Sequence, residues 1–529
     1  MTIPATSVVT QHREALLAMA GLALSLFLVS LDQTVVGTAM PEVIAELNGF
    51  ELYAWVATMY LLAQTVALPL AGKLGDRLGR KWLAIGGVVL FVAASAFCGV
   101  ADSMPWLIVG RGLQGAGAGV IMATVFTLVA DIFPDLRERA RYQGMLFAVF
   151  ALSSVIGPLL GGWITDNFGW RWIFYINLPL GLLSLLVLPR VLPQSAPKPH
   201  TRMDYWGALS ISLAIIGLLL GVELVANGHA WRSPEVVGCW LVAGVALAVF
   251  IPIERRAPDP VIPFSLFQNR TVSATILLMF FFGMVMFGLL LYTPLFMQAV
   301  LGLSASGSGV LMLPMSFAMP VVGIIVGQMV AKLGVLRPFM VGGTALMAIG
   351  LAFLTTVHAQ TPPWLLASIL FVIAVGMGAI FPVANLLVQT ASPPPLIGVA
   401  TSTLQFLRLI GSTIGTAIVG SVITQSYITG VIQHAPAGVP PAALATLDNP
   451  NALVSQDALD TLATVLAPYA NGSDLLQTLL GVARLALENA LRHGFILMLV
   501  VILLALVCGL FIEKLKLAER KPAVELAAA

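Results

Sequence analysis

The stretch GKLGDRLGRK, Gly72 to Lys81, sets four cations, one carboxylate and three glycines between two apolar runs, residues 52–72 and 82–100. Each run is long enough to cross a hydrocarbon core of about 30 Å as a helix. The glycines allow a tight turn, and the cations hold the loop at a membrane surface. A carboxylate, Asp76, in so basic a loop is not explained by surface anchoring and asks for a partner elsewhere in the fold.

Outward from this loop the same pattern repeats along the chain. Of 529 residues 59% are hydrophobic and only 9% are charged, against about 25% charged in a soluble domain. Apolar runs between Pro, Gly and charge punctuation place fourteen helices at 15–40, 52–72, 82–100, 105–130, 140–165, 171–190, 205–226, 235–253, 271–299, 308–331, 338–357, 363–389, 397–425 and 490–513. The expected class is an all-α polytopic membrane protein. The first run is too long for a cleavable signal peptide.

Orientation follows from Lys and Arg. Of 26 such residues, Arg171, Arg232, Arg484 and Arg492 fall on one face and Arg111 and Arg408 inside spans; the rest share the other face. That face is expected to be cytoplasmic, with both termini on it, in a plasma or inner membrane. The hydrophilic segment 426–488 is then external. Its stretches DALDTLATVLAPYA and DLLQTLLGVARLALENAL carry leucines at helical spacing, broken by NGS. They read either as a helical hairpin on the membrane surface or as a loop.

The chain also resembles itself at an offset near 255. Gly72, Leu78 and Gly79 meet Gly327, Leu333 and Gly334, and Gly157 and Gly161 meet Gly411 and Gly415. The expected organisation is an N-terminal six-helix bundle (1–200), two inserted helices (201–260) and a C-terminal six-helix bundle (261–529) that includes the external loop. Paired bundles around a midplane site suit a rocking transporter. The repeat is unequal: Asp76 aligns with Ala331 and Asp32 with Phe287, so the ionisable groups sit mainly in the first half.

Three further motifs join the loop. RGLQGAGAG runs from Arg111, GPLLGG spans Gly157 to Gly162 and is followed by WRWIFYINLPLG, and LDQTVVGTAMP spans Leu31 to Pro41. With these the chain resembles the major facilitator superfamily and, within it, the fourteen-span drug:proton antiporters of the EmrB/QacA group. The resemblance implies that Asp76 faces a helix N-terminus in the other bundle and that Arg80 pairs with Asp131 at the end of the fourth span. Gly72, Asp76, Arg80 and Asp131 would then latch the inner gate. It implies a hinge at Gly157, Pro158, Gly161 and Gly162, the motif of antiporters rather than symporters. It also implies a role near proton transfer for Arg111.

An acid near mid-bilayer is expensive, so Asp32 is expected to line the central cavity, to carry the proton and to be tuned by Arg111. Substrate-cavity candidates are Trp55, Tyr60, Met284, Met286, Phe287, Tyr292, Gln298, Asn385, Gln389, Gln405 and Arg408; the Met and aromatic members adapt to varied apolar guests, but the same residues also suit packing or lipid contact. Glu223 reads as interfacial. Relatives with divalent-cation cargo carry an acid in the tenth or thirteenth span; this chain has none in either.

No phosphate-binding GxxxxGK[ST] loop is present, and the six histidines and three cysteines have no metal-ligand or catalytic spacing. No enzyme activity, metal, cofactor or nucleic-acid partner is expected. The proton gradient would drive export of amphiphilic, monocationic or neutral compounds. Partners are protons, such compounds and the bilayer, with a periplasmic adaptor left open and a monomer as the functional unit. Two alternatives stand: export of one specific metabolite, siderophore or lipid, and a receptor or scaffold that does not transport.

Overall fold

Apolar runs in hydrocarbon satisfy their backbone groups by bonds within the run, which selects helices. The computed structural model describes residues 5–47, 52–133, 135–193, 204–226, 229–436, 439–447, 453, 456–469 and 472–515, and its long elements are all helical. The first bundle comprises α1 (Ala5–Leu47), α2 (Tyr53–Leu78), α3 (Arg80–Gly99), α4 (Met104–Ile132), α5 (Leu136–Phe168) and α6 (Asn177–Val191), the last preceded by one turn at Trp172–Tyr175. Next come α7 (Tyr205–Ala226) and α8 (Pro234–Arg256). The second bundle comprises α9 (Arg270–Leu295), α10 (Ala305–Leu333), α11 (Arg337–Leu354), α12 (Pro363–Ala391), α13 (Ile397–His434) and α14 (Gly472–Leu510). Among the described residues 13 helices are long and apolar enough to cross a membrane; α5 is the fourteenth long helix.

Helix ends follow local chemistry. Gly79, at φ +88°, turns the chain between α2 and α3 in one residue, a conformation that glycine adopts without strain. Ser233 Oγ, Asn269 Oδ1 and Ser304 Oγ accept backbone N–H bonds at the starts of α8, α9 and α10.

The internal repeat is visible in the packing. In the first bundle α1 packs on α5 and α6, and α4 on α2 and α3; in the second, α9 packs on α13 and α14, and α12 on α10 and α11. The bundles meet along two matched seams, α5 with α10 and α2 with α13. The inserted pair packs on itself and lays α7 against α2 and α13, across the second seam.

The basic ends of the helices gather on one face. Lys73 bonds Asp259 in the link between α8 and α9. Lys81 donates to Leu192 O at 2.9 Å, and Arg337 to Leu510 O at 2.9 Å. Lys198, Arg202, Lys516, Arg520 and Lys521 lie outside the described residues, as do Asn471 and the side chain of Arg13.

The far side differs from expectation. The stretch from Asp474 to Leu491 is no separate surface helix but the first half of α14, which runs 39 residues, while α13 runs 38. Its leucines keep helical spacing into the span with no proline to stop them, so the helix continues. Beyond the membrane-spanning lengths the two helices pack together: a Cβ on Gly430 would lie 3.0 Å from Ala486 Cβ, and Tyr427 and Leu487 are buried. Short helices at Pro441–Thr446 and Gln456–Leu466 complete this stalk.

Candidate functional site

The residues expected to form a latch come together from three helices at the basic face. Arg80 Nη1 donates to Asp131 Oδ1 at 2.5 Å, joining the start of α3 to the end of α4, and Arg80 Nη2 donates to Asp76 Oδ1 at 3.0 Å. Both side chains lie against the first turn of α13: a Cβ on Gly398 would sit 3.1 Å from Arg80 Nη2 and 3.3 Å from Asp76 Oδ1. A carboxylate there is favoured by the helix dipole. One turn on, a Cβ at Gly72 would overlap the Ser402 side chain, so only glycine lets α2 and α13 approach this closely. On the other seam Gly144 and Gly327 place α5 and α10 backbone to backbone.

Deeper in the first bundle, Asp32 and Arg111 are 1% and 3% exposed. Arg111 Nη1 donates to Asp32 Oδ2 at 2.7 Å and to Gln114 Oε1 at 2.6 Å. Gln114 Nε2 and Asn177 Nδ2 donate to Asp32 Oδ1 at 2.7 and 2.8 Å, and both also reach Ser95 Oγ. The guanidinium carbon lies 4.2 Å from the centroid of the Tyr60 ring. The carboxylate thus ties α1 to α3, α4 and α6. An anion in low dielectric gathers donors, and these come from inside its own bundle. Tyr60, expected in the substrate cavity, packs on this cluster.

On the opposite face of α1, Thr34 Oγ1 donates to Ser153 O at 3.3 Å, and Gly157 packs directly on Thr34. The expected hinge therefore touches α1 two residues from Asp32. Gly161 is buried and its carbonyl accepts from Thr165 Oγ1 at 2.7 Å, whereas a Cβ on Gly162 would meet open space. The side chain of Pro158 lies outside the described residues.

The second bundle carries a different polar ladder. Arg408 Nε donates to Gln405 Oε1 at 3.0 Å, Gln405 Nε2 to Asn385 Oδ1 at 3.1 Å, and Asn385 Nδ2 to Phe381 O at 3.1 Å. Gln389 bridges the bundles: Gln143 Nε2 of α5 donates to its Oε1 at 2.8 Å, and its Nε2 donates to Phe126 O of α4 at 3.1 Å. Phe381 stacks on Phe147 at 4.5 Å between centroids and tilts on Phe126 at 6.0 Å. The bundles are thus joined on the basic side of this ladder, by side chains of α4, α5, α12 and α13.

The α9 candidates are mostly packing residues. Met284 lies against Gly415 of α13, Met286 is buried, and Tyr292 Oη donates to Thr416 O at 3.3 Å. Met284 and Tyr292 face the second bundle's own helices, because Met and Tyr fill a helix junction as readily as a ligand site. Gln298 sits on a π turn, Phe296–Val300, and donates to Ser308 Oγ at 3.1 Å. Phe287 and Trp55 are half-buried. Sequence reasoning missed Gln114, Asn177, Ser95 and Gln143. The one available signal was Gln114, three residues after Arg111 and so on the same helix face.

A profile of the Major Facilitator Superfamily matches residues 22–416. The chain belongs to that superfamily. Multidrug transporter protein MdtP of Bacillus subtilis is 39% identical over 407 residues, 77% of this chain and 75% of that protein. Multidrug resistance protein 3 of the same organism is 35% identical over 407 residues, 77% of this chain and 79% of that protein. The crystal structure of the human organic anion transporter MFSD10 superposes with a TM-score of 0.56, covering 89% of this chain and 99% of that one. At 15% identity this likeness speaks for the major facilitator fold alone. Members of the superfamily are membrane transporters rather than enzymes.

Proposed function

We propose that this chain is a proton-coupled multidrug antiporter of the fourteen-span group, exporting amphiphilic compounds across the plasma membrane. The observation that carries the reading is the Asp32 carboxylate, buried with Arg111, Gln114 and Asn177 at the junction of α1, α3, α4 and α6. Protonating it removes the anion that pairs with Arg111 and turns one accepting oxygen into a donor, which weakens the tie of α1 to its neighbours. Gly157 of α5 packs on the same segment of α1, and α5 forms a seam with the second bundle. A proton on Asp32 therefore acts, through α1, on a helix of one of the two seams that join the bundles. With the basic face inside, the latch and seams described above are closed on the cytoplasmic side, which makes this the outward-facing state. Names among the relatives, with two Bacillus proteins called multidrug, support broad cargo.

The test is proton flux in energised inverted vesicles on adding a panel of lipophilic compounds, wild type against Asp32→Asn at matched expression. Compound-induced proton release in wild type and none in the variant is the expected result. Equal responses place the coupling elsewhere, and silence from both removes the multidrug reading.

A further inference from the structure

The two intramembrane arginines are not equivalent. Arg111 has a carboxylate; among the described residues Arg408 has none within ion-pair distance, and its terminal nitrogens have no hydrogen-bond acceptor. Its partners are an amide oxygen, Gln405 Oε1, and the Phe381 ring, 5.2 Å from its guanidinium carbon. It is 4% exposed. A buried cation with no anion is costly, and a ring face and one amide offset only part of that cost. Between the two interfaces, the described residues of both bundles therefore carry one uncompensated positive charge.

Its position gives that charge a use. Phe381, which covers Arg408, is held on its other side by Phe126 and Phe147 of the first bundle. Parting the basic-side seam breaks the Gln143–Gln389 bridge and draws those rings off Phe381. Arg408 then opens toward the basic side, with Gln405 and Asn385 beside it and apolar walls around it. An arriving cation meets repulsion there and no free acid, because Asp32 is satisfied inside its own bundle. An arriving anion meets a desolvated guanidinium with two free terminal nitrogens, a fork that matches a carboxylate.

We propose that Arg408 determines specificity in the cargo site and selects amphiphiles bearing a single carboxylate-type anionic group. This rests on the export reading and replaces the cationic cargo expected from sequence with anionic cargo, neutral compounds binding second.

The experiment is direct binding to the purified full-length protein in lipid nanodiscs, with no gradient imposed. The probes are dansyl-undecanoic acid, its methyl ester and dansyl-undecylamine. In wild type the acid is expected to bind about tenfold more tightly than the ester, as for a hydrogen bond to a charged group, and the amine most weakly. In Arg408→Gln the acid falls to the level of the ester while the ester is unchanged; Arg408→Lys keeps part of the preference. Each ratio is measured within one folded preparation, so a loss of yield does not imitate the result. Should Arg408→Gln fail to fold, the wild-type order and Arg408→Lys decide. Wild type that binds amine as well as acid overturns the proposal, as does a preference that survives Arg408→Gln. Acid preference without compound-driven proton flux removes the antiport reading alone; flux without acid preference removes this proposal alone.

Discussion

Arg111 and Arg408 occupy the interiors of two bundles related by an internal repeat, yet one is saturated and the other is not. Arg111 shares Asp32 with Gln114 and Asn177; Arg408 has an amide and a ring. Removing one partner of a buried ion pair strands the other, whereas removing a charge that was never paired relieves a cost. The first bundle thus holds its charge as a closed circuit, and the second keeps a charge in reserve.

The largest effect should come from breaking that circuit. Asp32→Ala leaves the Arg111 cation stranded and is expected to destabilise the folded state by about 3–5 kcal/mol. Arg408→Leu is expected to leave the unfolding midpoint unchanged or raise it. Scanning fluorimetry in detergent compares them directly, and equal losses would dissolve the distinction between the two sites.

A smaller effect separates the matching glycine junctions. A Cβ at Gly411 would strike the Phe280 backbone carbonyl, but at Gly157 it would strike the Thr34 side chain. Backbone yields less than a side chain, so Gly411→Ala should cost about 1–3 kcal/mol and Gly157→Ala less. The same melts, with Gly162→Ala as a site facing open space, read the order; a reversed order would mean that the first bundle is the stiffer one.

The smallest effect belongs to the water-exposed counterpart of the buried pair, Glu46 with Arg171 at 2.5 Å. The hydrogen bonds from Arg171 and from the Trp170 indole hold the Glu46 carboxyl below its ordinary range. A lowered folded value means that its contribution is present above the ordinary carboxylate pKa and is lost as pH falls through the lowered one. A slight difference in melting point between wild type and Glu46→Gln at neutral pH should therefore vanish in acid. A difference that grows on acidification would reverse the sign assigned here.

What could be read before the fold was known follows a physical line. The Arg80–Asp131 contact and the place of Asp76 at the start of α13 were expected from the family resemblance, with Asp76 singled out because a carboxylate in so basic a loop asks for a partner. The Asp32–Arg111 pair was legible because two opposite charges inside a membrane must find each other. Gln114, Asn177 and Gln143 were not, since an amide in a span carries no sign that names its partner. Met284 and Tyr292 pack at a helix junction, since residues suited to a soft pocket are equally suited to a tight junction. The end of α13 beyond residue 425, and the continuity of the first half of α14 with its span, were missed because a helix outside a membrane looks the same in sequence whether it stops or continues.

The length of α13 has a mechanical consequence. Its 38 residues contain no proline, so at about 1.5 Å per residue it is a rod of about 57 Å, nearly twice the hydrocarbon thickness. One end rests on α2 through Gly398 and Ser402, Arg408 sits about three turns beyond Gly398, and the other end forms the stalk with α14. Such a rod is a lever: a tilt that lifts its inner end off α2 swings its outer end the opposite way. A hold on the stalk is therefore also a hold on the contact between α13 and α2. A binder that grips the stalk would restrain the far end of α13 without entering the membrane.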